Sequence, residues 1–171
     1  TPMNSSAASD VYKRQPLNLD NFSKSIANLP LEFSPGDKWN YSVATDICGR
    51  LIEVLSDMTL DEYFKKYIFK PLQMDDTGFY VPKNKISRFA ACYERTPTEY
   101  LKLQDSGSKK SGYSKMPLHL SGGGGLVSTS EDYYNFCQML LNGGTFKGKR
   151  ILSRKTIELM TANHLPGNQD M

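Results

Sequence analysis

A chain of 171 residues can bury a real core, since a domain of about 150 residues removes roughly two-thirds of its unfolded surface from water. Hydrophobic residues at 39% and charged residues at 23% argue against disorder, which needs fewer apolar and more like-charged positions. The net charge of +3 is scattered along the chain and forms no phosphate-tracking stripe, so nucleic acid is excluded as a partner, and no apolar run approaches the roughly 20 residues of a membrane span.

Residues 1–15 are small and polar without periodicity and are read as a non-native or disordered leader, leaving residues 16–171 as a partial domain. From Asp20, taken as the N-cap, Phe22, Ile26 and Leu29 recur at helical spacing until Pro30. Ser34-Pro35-Gly36-Asp37 then reads as a turn, in which proline presets one dihedral and glycine permits the next. A strong amphipathic helix is predicted over residues 42–56, with Ser42 as its cap and Ile47, Leu51, Ile52, Val54 and Leu55 as its apolar stripe. Thr59 and Glu62 have capping-box spacing and open a helix whose predicted buried face is Leu60, Tyr63, Phe64, Tyr67 and Ile68, ending at Pro71.

Residues 73–118 carry many prolines, glycines and serines with short β-like pieces over 78–81 and 90–93, and residues 106–114 read as a flexible polar loop. The run Gly122-Gly123-Gly124-Gly125 lacks the lysine of a phosphate-binding loop, so close backbone packing in a tight turn is the better reading. Thr129 and Asp132 cap a helix with Tyr133, Phe136, Met139 and Leu140 on one face, stopped by Asn142-Gly143-Gly144. A last helix starts at Ser153 and carries Ile157, Leu159 and Met160.

Three cysteines without a paired motif argue against zinc, and Cys48 and Cys137, inside helical patterns, are expected to be small buried hydrophobes. Asp75-Asp76 reads as a structural turn, His119 and His164 as surface residues, and Trp39 as a core or pocket-wall ring. Among ten tyrosines, Tyr41 alone precedes the strongest helix, whose positive end would favour a phenolate.

Pro35-Gly36-Asp37-Lys38-Trp39-Asn40-Tyr41-Ser42, Pro71-Leu72-Gln73-Met74-Asp75-Asp76-Thr77-Gly78-Phe79 and Gly124-Gly125-Leu126-Val127-Ser128-Thr129-Ser130-Glu131-Asp132 occur in this order. Together they resemble the central part of the class C β-lactamase-related serine hydrolases, a family of lactamases, DD-peptidases, esterases and acyltransferases. The resemblance runs from about Leu19 to Pro166. It implies an α+β fold, here a mostly helical fragment of the serine β-lactamase and DD-peptidase architecture with most of the antiparallel sheet missing.

It also implies that Tyr41 is the tyrosine that shuttles protons, beside a Ser-x-x-Lys nucleophile expected ahead of residue 16 and a third motif expected beyond His164. The chain alone is therefore expected to be inactive. Val43 stands where lactamases carry a substrate-contacting asparagine, which points to the esterase or transesterase branch. Gly124 stands where they place an aromatic ring beside the substrate, which implies a more open site. Ser106-Gly107-Ser108-Lys109 fits Ser-x-x-Lys only formally, because serine and lysine three apart share a face only on a helix.

The implied partner is a small ester or amide, with no cofactor or metal. Compartment and oligomeric state are not indicated. The competing readings are a non-catalytic binding or scaffolding relative, which a missing upstream Ser-x-x-Lys would favour, and a helical interaction domain unrelated to hydrolases. Taken alone, the fragment is expected to expose apolar helix faces that the absent sheet would cover, and so to be poorly soluble or molten.

Overall fold

A computed structural model describes residues 17–98, 100–165 and 167. In chain order the elements are α1 (Leu19–Ala27), α2 (Ala44–Ser56), α3 (Leu60–Phe64), a π-helical turn (Lys65–Phe69) and α4 (Lys70–Leu72). There follow β1 (Cys92–Glu94), β2 (Lys102–Asp105), α5 (Ser130–Leu141), β3 (Thr145–Phe146), β4 (Lys149–Arg150) and α6 (Arg154–Met160). The class is α+β: the helices dominate, and the described strands form two antiparallel pairs, β1 with β2 and β3 with β4. The expected leader lies outside the described residues.

Local chemistry sets most boundaries. The Thr59–Glu62 capping box forms, with the Thr59 N–H donating to Glu62 Oε2 at 3.1 Å. Thr129 and Ser153 cap α5 and α6 by accepting from the Asp132 and Thr156 amides. α1 departs from expectation by two residues: Asn18 is its N-cap, accepting from the Asn21 amide at 2.9 Å. Asp20 instead faces sideways, ion-paired with Lys24 at 2.6 Å and with Arg50 of α2 at 2.8 Å. α2 begins at Ala44 rather than at residue 42, with Val43 as N-cap and the Ser42 hydroxyl accepting from the Ala44 amide at 3.2 Å.

The helix predicted to stop at Pro71 runs on to Leu72, because the π turn intervenes. Lys70 N–H bonds back to the Lys65 carbonyl, five residues earlier, so the next position falls at the change of register, where a proline's missing N–H costs little. The same turn rotates the apolar face. Phe69 is buried and the predicted Tyr67 is 47% exposed.

One core cluster gathers Phe69, Leu72, Met74, Met139 and Phe146, uniting the end of the α3–α4 helix with α5 and β3. A second, of Leu19, Leu60, Phe79 and Leu120, joins α1, α3 and two loops. Phe64 packs against both. Phe22 and Ile26 form a third with Leu17 and Val43.

The predicted apolar stripe of α2 is the main surprise. Ile47, Leu51, Val54 and Leu55 are exposed, at 77% for Leu55, whereas Ile52 packs on the second cluster and the buried residues of the helix are Asp46 and Gly49. Cys48 and Cys137 are likewise exposed, as is Trp39, so none of them is a core residue. On α5, Tyr133 faces solvent while Asp132 is buried, accepting from the Asp76 amide at 2.8 Å and the Thr77 hydroxyl at 2.7 Å. Leu159 and Met160 of α6 are exposed.

Residues 106–114 are folded by Asp105, which accepts from the Gly107 amide at 2.8 Å and from the buried Ser111 hydroxyl at 2.6 Å. Ser106 and Lys109 therefore lie in a turn and not on one helical face. Of the two β-like pieces, one becomes β1 and the other contributes the bridge between Gly78 and Val127.

Candidate functional site

Tyr41 lies two residues ahead of the α2 N-cap, at the end of the helix where unpaired N–H groups concentrate positive potential, and its side chain is 77% exposed. Val43, half-buried at the N-cap itself, turns toward α1 and packs on the cluster of Phe22 and Ile26. Gly124 sits in the glycine run, where a methyl group built on its Cα would meet no atom within 4 Å.

The first turn of α2 holds that run in place. A Cβ on Gly122 would stand 2.1 Å from the Thr45 carbonyl oxygen, and one on Gly123 would stand 2.7 Å from the Thr45 hydroxyl. Only glycine permits such an approach. The close packing read from the glycines is thus present, and it brings the loop carrying Gly124 onto the turn that follows Tyr41.

Asp46, in the same first turn, joins the two from inside. It is 6% exposed, and its Oδ1 accepts from the Ser121 hydroxyl at 2.6 Å and from His119 Nε2 at 3.2 Å. The His119 ring packs edge-on to Phe22, with centroids 4.8 Å apart. His119 is therefore largely enclosed, not a surface residue, and no sequence signal announced it. Its partner lies 73 residues away, and an aspartate in a first helical turn reads as an ordinary dipole partner.

Burial works against ionisation of Asp46, yet the hydrogen bonds from His119 and Ser121 outweigh it and hold the carboxyl below its ordinary range. Asp76, at the turn read from Asp75-Asp76, is held low by Arg88 at 2.8 Å and Lys85 at 2.7 Å. Carboxyls depressed in the folded state contribute stability that is complete above the unfolded pKa and is lost as pH falls through the folded one. Unfolding midpoints in urea are therefore expected to fall on acidification below about pH 4, and Asp46→Asn to make that fall shallower.

A separate cleft of about 330 Å³ lies between α3, the segment 74–82 and residues 127–129, lined by Phe69, Phe79, Met116, Lys85 and Arg88 among others. Tyr41, Val43 and Gly124 are not part of its wall. Among the described residues no group of three or more histidine, cysteine or acidic side chains could hold a metal ion, and no helix is long and apolar enough to cross a membrane.

Fold and site together define a β-lactamase-related serine hydrolase domain. The chain belongs to the Beta-lactamase family, whose model matches residues 3–170. It is 34% identical over 163 residues to Protein Rv1367c of Mycobacterium tuberculosis (strain ATCC 25618 / H37Rv), covering 94% of this chain and 40% of that protein. It is 31% identical over 97 residues to Esterase EstB of Burkholderia gladioli, covering 57% of this chain and 24% of the esterase. In structure it is similar to EstCE1, described as a hydrolase with promiscuous acyltransferase activity, with a TM-score of 0.70, 25% identity, and coverage of 85% of this chain and 40% of that one. The chain thus spans less than half the length of these relatives.

Proposed function

We propose that this chain is part of a serine hydrolase that transfers the acyl group of a small ester or amide through a seryl-enzyme, with Tyr41 as its proton shuttle. The observation that supports this most is an exposed phenol at the positive end of α2, beside a glycine loop packed onto the same turn. A phenol ordinarily ionises near pH ~10, so it serves as a base near neutrality only with help from a helix end and an ammonium group. The first belongs to α2, and the second would come from the lysine of a Ser-x-x-Lys motif elsewhere in the full-length protein.

In this reading Tyr41 Oη takes the serine proton as the serine Oγ bonds to the acyl carbon. It then returns that proton to the departing alkoxide or amine, and water repeats the cycle to release the acid. Val43 and Gly124 flank the substrate. The open space at Gly124 supports a site that admits bulky acyl groups, and the esterase and acyltransferase descriptions of EstB and EstCE1 fit this branch. The 171-residue chain, without a helical Ser-x-x-Lys among its described residues, is read as inactive alone.

A fluorophosphonate probe tests the assignment. The full-length protein is expected to be labelled at one serine, and the 171-residue chain to remain unlabelled. An unlabelled, folded full-length protein would point to the non-catalytic binding relative.

A further inference from the structure

We infer that Asp46, His119 and Ser121 form a positioning clasp that fixes the glycine loop against the turn carrying Tyr41, and so sets how tightly the site holds the acyl group. The inference rests on the role proposed for Tyr41.

The loop is pinned at both ends. At its start, Ser121 and His119 both donate to one buried oxygen, Asp46 Oδ1. The Ser121 hydroxyl oxygen also accepts from the Gly123 amide at 3.1 Å, which carries the tether into the glycine run. At its end, Val127 exchanges two backbone hydrogen bonds with Gly78, at 2.8 and 3.1 Å. Between these anchors Gly124 touches nothing within 4 Å, and Gly125 adopts the left-handed region at φ +83°. A strand of glycines has little stiffness of its own. Its position must be imposed from the anchors, and one of them is a side-chain network reaching into the first turn of α2.

The network is built for geometry and not for nucleophilic chemistry. A Ser–His–Asp relay needs the imidazole between hydroxyl and carboxylate, whereas here both donors meet the carboxylate directly. Ser121 is thus committed as a donor to Asp46 and is not activated. Asp46 itself is shielded from solvent by the glycines lying over it, Gly123 approaching its Oδ2 to 3.5 Å for an added Cβ.

In the full-length protein, Ser121→Ala and His119→Leu are expected to raise KM for p-nitrophenyl esters about tenfold while kcat stays within about threefold, because the loop loosens and Tyr41 stays in place. His119→Gln keeps a donor near the Nε2 position and is expected to recover most of the lost affinity. Amide hydrogen exchange at residues 122–125 is expected to quicken at least tenfold in Ser121→Ala and His119→Leu, a readout that needs no turnover. Unchanged exchange in both variants would overturn the clasp, whatever the activity. Quickened exchange with KM unchanged in a competent esterase would overturn its influence on the site. If the wild-type protein turns over no ester, the reading of Tyr41 fails and the exchange result alone decides the clasp.

Discussion

Replacing Tyr41 by phenylalanine is expected to lower kcat of the full-length protein on p-nitrophenyl esters by about 10²- to 10⁴-fold, the range for losing a positioned acid–base group. The ring persists and only the hydroxyl goes. With 77% of the side chain exposed, packing changes little, so the thermal midpoint should stay put. The effect should fall on kcat and kcat/KM together, since the phenol acts on a proton in flight and not on the bound ester. Turnover retained within a few-fold would remove Tyr41 from the mechanism and with it the chemical basis of the hydrolase reading.

The second large effect concerns the uncovered face of α2. Ile47, Leu51, Val54 and Leu55 follow helical spacing and are all exposed, a contiguous apolar surface of a kind that soluble monomers seldom present. The relatives are more than twice as long as this chain, so a covering element is expected from the rest of the domain. Leu51→Glu with Leu55→Glu should then act oppositely at two lengths. In the 171-residue chain the pair is expected to reduce binding of a hydrophobic dye and to improve solubility. In the full-length protein it would bury unpaired carboxylates and destabilise by more than about 4 kcal/mol. Urea midpoints at both lengths decide the matter, and equal tolerance would show that this face meets water in the complete domain.

Much of the fold was legible where the code is local. Thr59 with Glu62, Thr129 with Asp132, and Ser153 each announce a helix start through hydrogen bonds spanning three residues, and these caps form as read. The family was legible as well, from three loose motifs in fixed order, and the family model covers them all.

What escaped was non-local. Periodicity states that Ile47, Leu51 and Leu55 share a face but not what lies against it. The same ignorance misplaced Cys48, which rides on that helix. Tyr67 and Phe69 exchanged roles because the spacing rule assumes 3.6 residues per turn, and a π turn breaks that count. The Asp46 and His119 contact was invisible because each residue has an ordinary local explanation. Tyr41 and Gly124 could be nominated from the resemblance, but the side chain that ties their two segments together could only be found in three dimensions.

That π turn has a further consequence for how the protein tolerates change in length. It amounts to one extra residue accommodated inside a helix, and the helix serves a different core on either side of it: Leu60 upstream, Leu72 downstream. Deleting a single residue between 65 and 69 would restore regular winding and swing everything after it by about 100° relative to what precedes. One of the two cores would then face water. A loop can lose a residue unnoticed, but this stretch of helix works as a gear tooth, and its spacing is as much a part of the design as its side chains.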